Sequence, residues 1–254
     1  MRSRYEAFLN DIALSSISAD LQVLDISYAV PSIKHVTYTV AKRDGQRVAR
    51  RYTDQATVTI TFELHIYDTV KRQAACQNVA AWAAKGGVLR TSDRMGQQLT
   101  CICTTMPTIT SAMRWNDALA VTFTAFPYPY WQAITPSTLT LTGTTNEGTL
   151  YVAGSAESAY VEAQITANAP LSTIALTAGE RTLTLSGLSI PQGGVIRLYY
   201  DADGIQHINY GNVSLLNKRT GADDLTAKCG EYNAMSYTAN ADVECVFIAK
   251  GAWL

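Results

Sequence analysis

Charged residues are scarce in this sequence of 254 residues: they make up 16% of the chain, and the two signs nearly cancel to a formal net charge of -1. This balance argues against a surface that coats nucleic acid and against an acidic disordered tail, because both need a strong excess of one sign. No stretch approaches the roughly 18 apolar residues of a membrane span, and the first residues lack the apolar run of a signal peptide. We expect no membrane insertion, no signal-directed secretion, and retention in the cytoplasm where the chain is made.

Cysteine and histidine are also sparse, and their placement argues against a disulfide framework or a metal site. The chain has an odd number of cysteines without the regular spacing of a small secreted domain: Cys76, Cys101, Cys103, Cys229 and Cys245. No Cys-x-x-Cys pair occurs, and His35, His65 and His207 are far apart in the sequence. We therefore expect free, mostly buried thiols and no bound metal.

Motifs that carry catalysis or hold a cofactor are missing. The sequence has no Gly-x-Ser-x-Gly elbow, phosphate-binding loop, dinucleotide fingerprint or His-Glu-x-x-His helix. Glu157, Glu162 and Glu180 are dispersed among predicted strands, so no two can be paired as acid and base. The segment Asp-Ala-Asp-Gly at 201–204 starts like a calcium loop but lacks the terminal Glu, which favours a hairpin turn. The sequence thus predicts neither an enzyme nor a cofactor.

Alternation of polar and apolar residues is abundant, and it is the pattern of a half-buried sheet. Val36, Tyr38 and Val40 alternate with threonines and lead into the turn-like segment 42–46, which predicts a hairpin. Residues 57–66 alternate without a break and predict the clearest strand of the chain. The fold class is therefore mainly β.

One helix is predicted, at about residues 69–85. Asp68 or Thr69 can cap its start, and Gly86-Gly87 ends it. Apolar residues at spacings of three and four predict the face that packs on the sheet: Val70, Ala74, Ala75, Val79, Trp82 and Ala83.

A domain boundary is predicted where Phe126-Pro127-Tyr128-Pro129-Tyr130-Trp131 interrupts the strand pattern, because two prolines within three residues cannot continue a central strand. This gives one domain at 1–131 and another at 132–254. The second domain has many short alternating segments with close turns, which predicts a β-sandwich: 138–142, 149–153, 160–166, 172–177, 181–185, 195–200, 205–210 and 243–249.

The order of several short strings along nearly the whole chain resembles the distal tail protein (Dit) family of phages that infect Gram-positive bacteria. The matching stretches are the turn segment 42–47, the strand 57–66, the helix end Ala-Trp-Ala-Ala-Lys-Gly-Gly at 81–87, the strand 88–93, the aromatic exit 126–131, and the strings at 223–225, 230–233 and 250–253.

The resemblance implies a structural role in assembly. In this family an N-terminal belt domain closes a six-membered ring at the tail tip, and a C-terminal galectin-like β-sandwich projects outward. The implied partners are further copies of the chain, the tail tube protein, a tail-tip hub protein and a receptor-binding protein. DNA would pass through the lumen without specific binding. The implied location is the virion tail tip or baseplate, assembled in the host bacterial cytoplasm. Relatives also occur in contractile tails and phage-derived bacteriocin particles, which the sequence does not separate.

Two groups of residues are candidate sites. The basic segment Lys42, Arg43, Arg47, Arg50 and Arg51 lies in the implied belt and is a candidate contact between subunits, with a solvated hairpin as the alternative. The exit residues are a candidate domain hinge, because prolines stiffen the chain and aromatic rings can wedge between domains: Pro127, Tyr128, Pro129, Tyr130 and Trp131.

A function from a different class stays open. The second domain could bind carbohydrate if its tyrosines form an exposed platform for sugar rings, with polar groups converging on a concave surface. The candidate tyrosines are Tyr199, Tyr200, Tyr210 and Tyr232. Fold alone does not decide between these functions.

Overall fold

The computed structural model describes residues 5–39, 44–108, 110, 114, 117–201 and 204–254. The chain divides into two compact units, Met1–Trp131 together with Leu254 (unit 1) and Gln132–Trp253 (unit 2). In the described part of the chain, no helix is both long and apolar enough to cross a membrane.

Within its described residues, unit 1 has one antiparallel sheet, one α-helix, a 3-10 turn at Leu14–Ser16 and a separate hairpin. Its elements are β1 (Ala7–Leu9), β2 (Ile12–Ala13), β3 (Leu21–Ala29), β4 (Ile33–Thr39), β5 (Gln46–Thr53), β6 (Thr57–Leu64), α1 (Thr69–Ala84), β7 (Gly87–Thr91), β8 (Gln97–Thr105) and β9 (Leu119–Ala125), followed by β10 (Trp131–Ala133) at the boundary. The strands of the sheet run in the order β2-β1-β7-β8-β9-β6-β3.

The strand β6 shows why this sheet forms. Every second residue from Val58 to Leu64 is buried and the intervening residues are half-buried, so one face of the strand lies in the core and hydrogen bonds join both edges to β3 and β9. The predicted strand is confirmed from Thr57 to Leu64, two residues shorter than the alternation indicated. The mainly β fold class with one helix is confirmed as well.

The helix α1 is capped by Asp68, whose carboxylate accepts hydrogen bonds from the backbone N–H groups of Val70 (2.8 Å) and Lys71 (3.0 Å). Trp82 anchors the helix to the sheet: its ring meets Phe123 edge-on at 5.8 Å, and its Nε1–H donates to the carbonyl of Ile12 at 3.1 Å.

The predicted buried face of α1 is partly wrong, because Val70 and Ala74 are exposed. At 100° per residue these two positions point about half a turn away from Val79 and Ala83, which are fully buried. Arg72 takes a place on the buried face instead, where its Nη1 donates to the carbonyl of Ile66 at 3.0 Å. The pattern of apolar residues assigned Val70 and Ala74 to the buried face because it does not anticipate a buried arginine there.

Unit 2 is all β apart from a single 3-10 turn at Leu216–Lys218, within its described residues. Its strands are β11 (Ser137–Val152), β12 (Ser158–Ala167), β13 (Leu171–Ala178), β14 (Arg181–Ile190), β15 (Val195–Tyr200), β16 (Gln206–Tyr210), β17 (Val213–Ser214), β18 (Arg219–Gly221), β19 (Thr226–Lys228), β20 (Glu231–Ala249) and β21 (Ala252–Trp253).

Two predicted segments, 138–142 and 149–153, turn out to belong to one strand, β11, interrupted by a register shift between Gly143 and Thr145. The segment predicted at 243–249 is only the end of β20, which has 19 residues. The sequence prediction cut both strands short because glycine and asparagine within them read as turns.

The strand β20 joins two layers. Along one edge it pairs with β11 at residues 231–238 and 243–249, and along the other its first part pairs with β13 and its last part with β12. One layer runs β17-β16-β15-β12-β20 and the other β20-β13-β14-β18. A Cβ on Gly148 would lie 3.2 Å from the side chains of Leu139 and Leu141, so the two halves of β11 face each other across the core. This is a sandwich in the sense predicted.

Three of the five cysteines, Cys76, Cys101 and Cys245, are buried, and Cys103 and Cys229 are partly exposed. Burial raises the pKa of the Cys101 and Cys245 thiols to about 12. These two side chains are packed as small apolar groups, as the sequence predicts.

Gly154 tests the packing of unit 2. Its φ is +136°, and a Cβ there would lie 1.9 Å from the carbonyl oxygen of Ala252; Gly179 also has positive φ, +58°, but open space around it. We expect Gly179→Ala to cost about 1 kcal/mol from backbone strain alone and Gly154→Ala about 3 kcal/mol or more from the added clash. Urea unfolding of both variants measures the difference, and equal losses would contradict the packing.

Candidate functional site

The strands β4 and β5 form a two-stranded sheet of their own, outside the two large sheets. Every residue of β4 is exposed, and so are the described residues of β5 from Gln46 to Tyr52. An isolated two-stranded hairpin is marginally stable in water because neither face is covered. The hairpin predicted from the sequence is confirmed, but it is not the half-buried element that the alternation indicated.

The register gives the hairpin two distinct faces. Val36 lies opposite Arg50 and Tyr38 opposite Arg47, and a bulge between Val36 and Thr37 keeps these pairs on one side. We call this side the basic face; it consists of Lys34, Val36, Tyr38, Arg47, Arg50 and Tyr52.

Apolar side chains lie among the basic ones without cover. Val36 is 47% exposed, Tyr38 49% and Tyr52 43%. Contiguous exposed apolar groups rimmed by charge are typical of surfaces that contact another protein. Sequence reasoning picked out the arginines and missed these neighbours, because alternation alone does not tell which strands another element covers.

The charge of the hairpin is of one sign. The two strands carry Lys34, Arg47, Arg50 and Arg51 and no acidic residue, whereas the whole chain is nearly neutral. Asp54, just beyond β5, meets Lys34 at 2.6 Å, and the hydrogen bond from Lys34 lowers the pKa of the Asp54 carboxyl. The guanidinium groups of Arg47 and Arg50 have no ion-pair partner among the described residues.

Of the predicted contact residues, Arg47 and Arg50 are thus brought together on the basic face. Lys42 and Arg43 lie outside the described residues, as does the side chain of Arg51. The contact role of the segment stays a prediction.

The candidate hinge ends in a buried tryptophan. Trp131 is 1% exposed and meets Tyr28 edge-on at 5.7 Å, and the Arg94 guanidinium lies 5.0 Å from its ring centroid. Tyr128 and Tyr130 meet edge-on at 5.2 Å, and both are half-buried, as are Pro127 and Pro129. Trp131 therefore anchors the exit segment in the core of unit 1.

The four tyrosines of the carbohydrate alternative have different surroundings. Tyr200 stacks on Tyr160 at 4.2 Å and its hydroxyl accepts from Gln206 Nε2 and the N–H of Leu225, so it is a packed residue. Tyr199 is half-buried and stacks on His207. Tyr210 is half-buried, while Tyr232 is 74% exposed. They do not form one platform.

The turn predicted at 201–204 is confirmed at its two ends, since the N–H of Gly204 donates to the carbonyl of Asp201 at 3.0 Å. The Asp201 carboxylate meets His207 Nε2 at 2.8 Å. Ala202 and Asp203 lie outside the described residues.

Replacing Trp131 tests the anchor. We expect Trp131→Ala to cost about 3–5 kcal/mol of folding free energy, because a large buried ring is lost, and Tyr130→Ala to cost less, since Tyr130 is half-buried. Urea unfolding measures both. If Trp131 is also a hinge residue, small-angle scattering of the folded variant will differ from wild type; an unchanged profile counts against the hinge.

No protein-family model matches the sequence, and no curated protein matches it. Among solved structures, the chain is similar to the SPP1 Dit protein, presented as a paradigm of the hub adsorption apparatus in phages that infect Gram-positive bacteria. The TM-score is 0.71 at 11% identity, over 97% of this chain and 98% of that chain. Chains in the phage P2 baseplate in its activated conformation with Ca and with Sr give TM-scores of 0.46 and 0.45, each at 9% identity over 97% of both chains. The chain therefore has the fold of the SPP1 Dit protein, as the sequence resemblance predicted.

Proposed function

We propose that this protein is a structural distal tail protein, which forms a hexameric ring at the tail tip and joins the tail tube to the baseplate and its receptor-binding apparatus. The observation that carries the proposal is the fold shared with the SPP1 Dit hub protein over nearly the full length of both chains. Identity of 11% is too low to transfer function by itself, so surface features of this chain must support the role.

The uncovered hairpin supports it. A two-stranded sheet with exposed Val36, Tyr38 and Tyr52 gains stability when its apolar groups are buried against another molecule. A neighbouring copy of the chain is the proposed occupant. A contact between different surfaces of identical copies closes into a ring when the rotation between them is a whole fraction of a turn.

The positive charge of the hairpin can orient one copy of the chain relative to the next. Arg47 and Arg50 present two guanidinium groups that can each bind a carboxylate through two hydrogen bonds, and the acidic residues of the chain equal its basic ones almost one for one. We expect the basic hairpin of one copy to meet carboxylates on the next. Unit 2 then remains free to bind the other tail proteins.

The proposed role as a hub is tested first by mass. Mass photometry of the purified protein over a concentration series should show a species of about 166 kDa, six times the chain mass of 27.6 kDa, and negative-stain images should show a central hole. The tail tube protein is added in a second series, because it can template closure. A monomer in both series would falsify the ring.

The hairpin contact is tested by charge reversal. We expect the double variant Arg47→Glu, Arg50→Glu to raise the concentration at half-assembly at least tenfold, a loss of about 1.4 kcal/mol. Higher salt should weaken assembly of the wild type in the same direction, because exposed charges are screened. Mass photometry measures both effects.

The matched control is Arg181→Glu, Lys218→Glu, which changes the net charge equally at exposed positions of unit 2. It should assemble like the wild type. Equal assembly of the hairpin variant and the control would exclude the basic face from the contact while leaving the ring itself untouched.

A further inference from the structure

One outer face of unit 2 carries two rows of side chains across four paired strands. Backbone register aligns Gln164 of β12 with Val246 of β20 on one side and Arg197 of β15 on the other, and Arg197 with Asn209 of β16. This is the first row. The second row lies two residues along each strand, on the same face, and consists of Ile248, Glu162, Tyr199 and His207.

A groove of about 580 Å³ opens between these rows, lined by Glu162, Gln164, Arg197, Tyr199, Asn209 and Ile248 among others. The opposite sides of the same strands are buried: Ala163, Ile165, Ile196, Leu198 and Ile208 belong to the core. The groove is therefore built on a rigid, packed sheet. Its volume falls within the range of small-molecule sites.

Three polar side chains of the groove are not used by the fold. Within the described residues, Glu162, Gln164 and Arg197 form no side-chain hydrogen bond or ion pair. Glu162 and Arg197 have opposite charge on one face, yet they stand apart. The carboxylate of Glu162 can accept hydrogen bonds from a ligand, the guanidinium of Arg197 can donate them, and the amide of Gln164 can do both.

Tyr199 supplies a fixed aromatic wall. Its ring stacks on His207 with 5.1 Å between centroids and 17° between planes, and its hydroxyl accepts a hydrogen bond from Asn209 Nδ2 at 3.2 Å. The ring is thus held before any ligand arrives, which lowers the entropy cost of binding.

The backbone around the groove excludes one class of ligand. β12 and β15 are each paired on both edges, so an extended peptide cannot add to these two strands as a further strand. Recognition must come from side chains alone. The groove carries both a carboxylate, Glu162, and a guanidinium, Arg197. A carboxylate repels phosphate groups, so this lining does not favour a nucleic acid backbone as the ligand.

We propose that this groove binds a saccharide. Each hydroxyl of a sugar ring both donates and accepts, which suits adjacent carboxylate, amide and guanidinium groups, and the apolar face of the ring packs on an aromatic side chain such as Tyr199. The ligand class is a neutral or N-acetylated mono- or disaccharide unit. This binding is additional to ring assembly and does not depend on it.

The test uses the full-length chain and saturation-transfer NMR with glucose, galactose, N-acetylglucosamine, lactose and N,N′-diacetylchitobiose, each at about 10 mM. At that concentration a site with a Kd of about 1 mM is about nine-tenths occupied. We expect at least one of these sugars to bind. No signal from any of them overturns the proposal and leaves the groove to a protein ligand.

Variants then locate the site. We expect Arg197→Ala and Glu162→Ala each to raise the Kd of the bound sugar at least tenfold, while Arg181→Ala and Glu157→Ala, exposed positions elsewhere on unit 2, leave it unchanged. Unfolding midpoints confirm that all four variants are folded, and Arg197→Lys provides a conservative variant if Arg197→Ala is not. Binding that survives both groove substitutions, or weakens equally in the controls, overturns the assignment.

Discussion

The hydrogen-bond ladder of β20 is the interaction on which unit 2 depends. A buried backbone N–H or C=O must be paired, and this one strand satisfies partners in three others, β11, β12 and β13. Side chains fix the stretch where β20 changes partner from β13 to β12. The Tyr237 hydroxyl donates to the carbonyl of Gly143 at 2.9 Å, and Asn240 Oδ1 accepts from the N–H groups of Ser172 and Thr173 at 2.8 Å. Both layers are thereby held in one sandwich.

In the described part of the chain, the hairpin of β4 and β5 has no such cover from other strands. Its strands satisfy each other but cover neither face, and its exposed groups combine tyrosine, valine and arginine. Aromatic residues and arginine are enriched in protein interfaces. A packed core beside an uncovered hairpin suits the proposed role in assembly, in which the core would set the shape and the hairpin would make the contact. The groove that we propose for a saccharide lies on unit 2, which is a compact unit of its own.

Several elements of the fold could be predicted from the pattern of neighbouring residues. The alternation at 57–66, the cap at Asp68 and the turn at 201–204 are decided by neighbouring residues, and each is found where it was expected. Errors arose where distant residues decide. The Arg72 guanidinium donates to the carbonyl of Ile66 within the buried face, and β11 continues past Gly143 because β20 pairs with it on both sides of that residue. Neither the Arg72–Ile66 hydrogen bond nor the pairing of β11 with β20 can be recognised from spacing along the chain.

The sequence by itself determined that this protein is mainly β with one helix, because strand and helix periods are written in consecutive residues. It also identified a basic hairpin and resembled the Dit family closely enough to predict the fold. Only the tertiary structure decided which strands are covered. It left the hairpin open, packed Tyr200 away, and set Glu162, Gln164 and Arg197 around one groove. Exposure and convergence depend on residues that are distant in sequence, so no local pattern encodes them.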